Sequence, residues 1–150
     1  MDKKKKTITI CASASFYKDV IAVEKELKKL SFKVKIPVTA KVMQKRNMFD
    51  VEKYKLWMKD PKQYHLKTKL MVGHFRKVIE SDAILVLNLE RNGRPGYIGG
   101  NMLMEMVIAF HHKKPIFIYD AIADNLSYKE EVYGLNPIFI QKKLDRIRIL

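Results

Sequence analysis

The stretch from Ala83 to Leu89 reads Ala-Ile-Leu-Val-Leu-Asn-Leu, and it constrains the fold more than any other part of the chain. It is nearly continuously apolar, so it has no polar face to offer water. Such a run fits a central strand covered on both sides, as strands of parallel sheets are. Parallel neighbours need crossover connections, usually helices. The chain supplies them. Thr7 to Ala12 is a short apolar, β-branched run and predicts a buried strand. Phe16 to Leu30 follows, with Val20, Ile21, Val23, Leu27 and Leu30 at helical spacing. Phe32 to Val38 predicts a second strand, interrupted by Pro37. Strand, helix and strand in so short a span imply a right-handed parallel βαβ unit.

The same alternation continues. Lys62 to Glu80 predicts a longer helix with Leu66, Leu70, Met71, Phe75, Val78 and Ile79 on its apolar face. Arg91 to Gly100 is a glycine-rich loop. Asn101 to His112 predicts a helix that is apolar around most of its circumference and therefore largely buried. Pro115 to Tyr119 predicts a fourth strand, Ser127 to Tyr133 a short helix, Ile138 to Ile140 a last short strand, and Lys142 to Ile147 a closing helix. Thr39 to Asp60 is polar, rich in Lys and Met, and ends at the turn signal Asp60-Pro61; it fits a short helix or a lid. The class is α/β: one domain over residues 1–150, with an open doubly wound parallel sheet of about five strands and helices on both faces. Ligands of such sheets bind at the carboxyl ends of the strands, where strand order reverses. The turn after Ala12, the loop after Leu89 and the segment after Tyr119 should meet there.

Composition narrows the setting. With 47% hydrophobic residues in 150, an ordinary core is available. The single cysteine, Cys11, excludes an intrachain disulfide and suits a reducing, cytoplasmic compartment. No apolar run approaches the roughly 20 residues of a membrane span, and the opening MDKKKK leads into a strand-like run with no apolar leader segment, so no membrane partner and no signal peptide are expected. The net charge of +14 admits phosphate binding. The lysines form no single stripe, and aromatics interleave with them only around Tyr54 to Tyr64. A solvated basic surface that attracts small anions is preferred to a nucleic-acid partner.

Glu105 is the first candidate for chemistry. It is the only acid in an otherwise apolar helical segment, and burying a carboxylate alone is costly. It lies just past the first turn, where the fading helix dipole would modestly favour its ionised form. Such a carboxylate can attack a sugar anomeric carbon; a solvent-facing or lysine-paired Glu is the competing reading. Gly96 to Asn101 could bring backbone amides to an anion, although it is neither a Walker A loop nor a dinucleotide fingerprint. Ser13 and Ser15 could bond phosphate or cap a helix. Cys11 reads as a buried, inert thiol. His65, His74, His111 and His112 have no metal-ligand spacing, so no metal site and no cofactor are expected. His74 precedes the central strand and could face the strand-end crevice.

The stretches SDAILVLN, GYIGGNMLMEMVIAF and KKPIFIYD resemble the nucleoside 2-deoxyribosyltransferase-like family, which includes deoxynucleoside monophosphate N-glycosidases. The similarity runs from TICASASF to GLNPIFI and is strongest between Ser81 and Asp120. It implies a flavodoxin-like fold of five parallel strands, a homodimer or larger assembly, and a nucleotide or nucleoside as the small-molecule partner. It implies that Glu105 is the nucleophile at C1′. It also implies a sugar- or phosphate-binding set of Ala12, Ser13, Ser15, Asn88, Gly99, Gly100 and Asn101. Two positions depart from the family's pattern. His74 stands where an Asp commonly assists the leaving base, and could act as general acid. Thr9 stands where a Tyr often orients the Glu. These departures keep a second expectation open, a module of the same fold that binds or senses a nucleotide without cleaving it.

Overall fold

The computed structural model describes residues 3–150. Five strands form one all-parallel sheet: β1 (Thr7–Cys11), β2 (Lys33–Lys35), β3 (Ala83–Val86), β4 (Ile116–Ile118) and β5 (Ile138–Phe139), in the order β2-β1-β3-β4-β5. This is the doubly wound, flavodoxin-like order, which reverses between β1 and β3. The register pairs Cys11 with Val86 and Val86 with Ile118, so three strand ends lie level.

Side chains alternate across the sheet as the pleat requires. Ile8, Ile10, Leu85, Leu87 and Phe117 face one core, which α1 (Tyr17–Lys29) closes with Val20, Ile21 and Leu27. Cys11, Ile84, Val86, Ile116 and Ile118 face the other, closed by α4 (Gly100–His111) and by Val78 of α3 (Tyr64–Glu80). Leu85 is fully buried, so truncation to Ala should cost about 2–5 kcal/mol.

Several expectations need correction. The ladder of β3 ends at Val86, although Leu87 and Asn88 stay buried beyond it. The second strand is only Lys33–Lys35; Pro37, which lacks an N–H, ends it and becomes the N-cap of α2 (Val38–Arg46). Thr39 to Asp60 is thus part helix, stopped by Asn47 in the left-handed region, and part irregular, with single 3-10 turns at 51–53 and 56–58. The helix α5 (Lys129–Gly134) starts two residues late, and Lys142 to Ile147 holds only one 3-10 turn. On α4, Met102, Glu105, Met106 and Ala109 are buried, but Met104, Val107 and Phe110 are exposed. One face of an isolated helix must point away from the sheet, whatever its composition. Among the described residues no helix is long and apolar enough to cross a membrane.

Candidate functional site

At the carboxyl ends of β1 and β3, where strand order reverses, lies a cavity of about 1130 Å³. Three rigid elements supply its floor. Ala12 and Ser13 leave β1, His74 comes from α3, and Glu105 comes from α4. Glu105 occupies the i+3 place of the buried stripe Met102, Glu105, Met106, Ala109, so the packing that seats α4 on the sheet carries the carboxylate inward.

The carboxylate has few partners. Asn101 Nδ2 donates to Glu105 Oε1 at 3.1 Å, and Lys67 Nζ donates to Asn101 Oδ1 at 3.4 Å. His74 Nε2 lies 3.7 Å from Glu105 Oε2, too far for a hydrogen bond. Glu105 Oε2 and both ring nitrogens of His74 are the buried side-chain atoms without a protein partner among the described residues. Each such group costs about 1–3 kcal/mol. Burial pushes the Glu105 carboxyl up to about 8, against the opposing influence of the Cys11 thiol and the Lys67 charge. Burial also pushes His74 down to about 4, helped by the charge of Lys77 and opposed by the Ile10 carbonyl. Near neutral pH, therefore, the free site holds a protonated Glu beside a neutral His, not an ion pair. The dipole of α4 does not keep the free carboxylate ionised; desolvation outweighs it.

Cys11 is fully buried, and burial raises its thiol well above the ordinary value. It is more than an isolated core thiol, because it lies against Glu105 and His74, with one ligand-type atom from each of the three within 4.8 Å of the others. Thr9, two residues earlier on the same face, does not reach the carboxylate. Its hydroxyl bonds Ser81 Oγ and the Lys77 carbonyl. Tyr17 is the aromatic hydroxyl that feels Glu105: burial raises its pKa first, the Glu105 charge second.

The rest of the expected set divides. Gly99, Gly100 and Asn101 line the cavity at the start of α4. Ser13 lines it too, whereas Ser15 is exposed and meets only Ser13 Oγ, at 3.0 Å. Asn88 is not on the lining. Its amide donates to the Asp120 carbonyl at 2.8 Å and accepts from the Asp120 N–H at 2.9 Å, tying the end of β3 to the loop after β4. Gly96 has φ +63, and a Cβ there would sit 2.0 Å from the Ala121 carbonyl oxygen, so this turn of the loop requires glycine. His65, His111 and His112 are exposed and lie off the lining.

Sequence reasoning missed the cationic and aromatic walls. Lys55, Lys67, Lys77 and Arg91 line the cavity with Tyr17, Trp57 and Tyr97. Arg91 stacks 4.9 Å above the Tyr97 ring, and Lys67 Nζ lies 5.7 Å from the Trp57 ring centre. Burial and neighbouring cations lower the pKa of Lys55; for Lys67 burial does so against the pull of Glu105. For Lys55 and Trp57 the interleaved Lys and aromatic residues between Tyr54 and Tyr64 were the available signal.

Fold and site together define an α/β protein with a strand-end cavity that is basic at its walls and acidic at its floor. No family model matches the chain, and no curated protein matches it. Among solved structures it is similar to the 2-deoxyribosyltransferase of the psychrotolerant bacterium Bacillus psychrosaccharolyticus. The TM-score is 0.52 at 12% identity, over 82% of this chain and 78% of that one. That likeness shows a shared fold.

Proposed function

We propose that this chain is a single-domain enzyme that cleaves the N-glycosidic bond of a nucleoside 5′-monophosphate, with Glu105 as nucleophile. The observation that carries this reading is the Glu105 carboxyl itself, buried at the cavity floor with one oxygen lacking a protein partner. The similarity of fold to a 2-deoxyribosyltransferase supports it. The cations around the cavity favour a phosphorylated substrate over a free nucleoside. Trp57 and Tyr97 offer ring faces for the base.

The chemistry uses one proton twice. With substrate bound, the 3.7 Å gap between Glu105 and His74 closes to hydrogen-bond reach and Glu105 passes its proton to His74, leaving a carboxylate beside an imidazolium. The carboxylate attacks C1′, the C1′–N bond breaks, and its electron pair departs with the base, which takes the proton from His74. The sugar is then esterified to Glu105. A water attacks C1′, releases the carboxylate and returns a proton to the pair, the retaining two-step logic of glycosyl transfer. Asn101 orients the carboxylate through Oε1. Ala12, Ser13, Gly99 and Gly100 would hold sugar and phosphate, with Ser15 supporting Ser13. Asn88 would act at one remove, through the Asp120 loop.

One observation favours the second reading, a nucleotide-binding module without catalysis: the free site keeps Glu105 protonated near neutral pH. The partner we propose beyond the substrate is a second copy of this chain, supported by the exposed Met104, Val107 and Phe110 of α4. Analytical ultracentrifugation of wild type and Phe110→Glu tests it, with a shift to monomer expected in the variant. The functional test is incubation with a panel of nucleoside 5′-monophosphates and nucleosides, followed by chromatography for free base. Base should appear from a monophosphate with wild type and not with Glu105→Ala. Intact nucleotide throughout would leave the binding module in its place.

A further inference from the structure

At the floor of the cavity lies a donor set that glycosidic chemistry alone does not account for, His74 and Glu105 on the lining and Cys11 fully buried off it. Cys11 from β1, His74 from α3 and Glu105 from α4 present a sulfur, an imidazole nitrogen and a carboxylate oxygen within 4.8 Å of one another, all three residues buried. We propose that these three residues bind one divalent ion of the zinc class, leaving the remaining coordination position open to the cavity.

The donor chemistry selects the ion. Zinc accepts thiolate, imidazole and carboxylate together, whereas magnesium and calcium take oxygen sets. The spacing suits it. Bonds of about 2.0–2.3 Å in a tetrahedron put ligand atoms roughly 3.3–3.8 Å apart. His74 Nε2 and Glu105 Oε2 already stand at 3.7 Å. The largest separation has about 1 Å to close, within reach of side-chain rotation. Those same two atoms have no protein partner in the free site, and an ion would supply one to both. On binding, the Cys11 S–H and the Glu105 carboxyl each lose a proton to solvent, and each donates a pair to the metal. Two anionic ligands then neutralise a divalent cation, so no net charge is buried. The Lys67 ammonium on the cavity wall opposes the ion and limits its affinity.

This inference does not rest on the glycosidic reading, though the two meet at Glu105. A carboxylate holding a metal cannot attack C1′, so zinc should inhibit base release and a chelator should restore it. The decisive test omits substrate. The untagged, metal-free chain is titrated with Co²⁺ and followed by absorbance, and with Zn²⁺ against a chromogenic chelator. One equivalent should bind, and the Co²⁺ form should show thiolate-to-metal charge transfer. Cys11→Ser should remove that band, and Glu105→Gln and His74→Gln should each weaken Zn²⁺ at least about tenfold. The exposed pair His111 and His112 is the rival site. His111→Ala/His112→Ala should leave binding intact. Circular dichroism confirms that each variant is folded; if Cys11→Ser does not fold, the wild-type charge-transfer band decides. Absence of that band, or binding lost only in the His111/His112 variant, would overturn the proposal.

Discussion

Two polar clusters sit one turn of α3 apart on the same face of β1, and they are built in opposite ways. In one, Thr9 and Ser81 bond each other and the Lys77 carbonyl. In the other, Cys11 and His74 stand beside Glu105, and three nitrogen and oxygen atoms have no protein partner. Both clusters are buried. The first satisfies its groups and so contributes to stability. The second leaves desolvated groups open toward a cavity, at a cost that packing elsewhere must offset. A buried acid alone is weak grounds for function; a buried acid beside a satisfied neighbour of similar depth is better grounds, because the fold shows that it can satisfy such groups.

The largest expected difference between the clusters is in activity. Glu105→Ala should lower base release by at least about a thousandfold, as removal of a nucleophile does. Thr9→Val should change kcat by less than about threefold, because Thr9 does not line the cavity and meets the wall only through the Lys77 backbone carbonyl. Comparable losses in both would erase the distinction.

The next effect is in stability against pH. Glu105 has a folded pKa raised to about 8, so its contribution is greatest when it is protonated and declines as pH rises toward 8. His74 has a folded pKa lowered to about 4, so its contribution is lost as pH falls below its unfolded value of 6.5. The two oppose each other between about 4.5 and 6.5. Between pH 6.5 and 8 only the Glu105 contribution changes, and wild type should lose about 2 kcal/mol. Urea denaturation in a chelating buffer measures this, and Glu105→Gln should be flat across that window.

A smaller effect separates wall from floor. Lys67→Met removes a cation from the cavity and should raise KM for a monophosphate about tenfold while changing it little for a nucleoside. Equal effects on both substrates would assign Lys67 to the base or sugar instead. Of similar size is the stability cost of Thr9→Val, about 1–2 kcal/mol for the lost hydroxyl bonds, read from the shift in denaturation midpoint.

Much of the frame was legible before any coordinates. The apolar run from Ala83 required a covered parallel strand, and helical periodicity fixed α1, α3 and α4 to within a few residues. Glu105 was visible because it interrupts an apolar stripe. His74 was a candidate because it precedes the central strand, and the resemblance gave it a role; nothing in a helical His by itself states what it will face. Cys11 is the buried thiol that its place in an apolar strand implied; that Cys11 and not Thr9 lies against Glu105 was not legible, because both are on the same face of β1 and sequence cannot tell which of them meets the crossing of α3 and α4. Asn88 looked free because a strand-end amide can bond a ligand or a neighbouring loop equally well; the Asp120 backbone takes it. Lys55 and Trp57 were hidden in residues 39–60, where single 3-10 turns replace a regular period and no face can be assigned; Tyr17, Lys67, Lys77, Arg91 and Tyr97 reach the cavity from other elements that only the fold brings together. The exposure of Met104, Val107 and Phe110 was missed because composition does not say what covers a helix.

The covalent step is the most exposed part of this account. Incubation with a 2′-fluorinated nucleoside 5′-monophosphate, which slows release of the sugar, followed by proteolysis and mass spectrometry, examines it directly. A sugar phosphate mass on the peptide containing Glu105 is the result expected. The same mass on a different residue, or released base with no adduct on any peptide, would contradict Glu105 as the nucleophile.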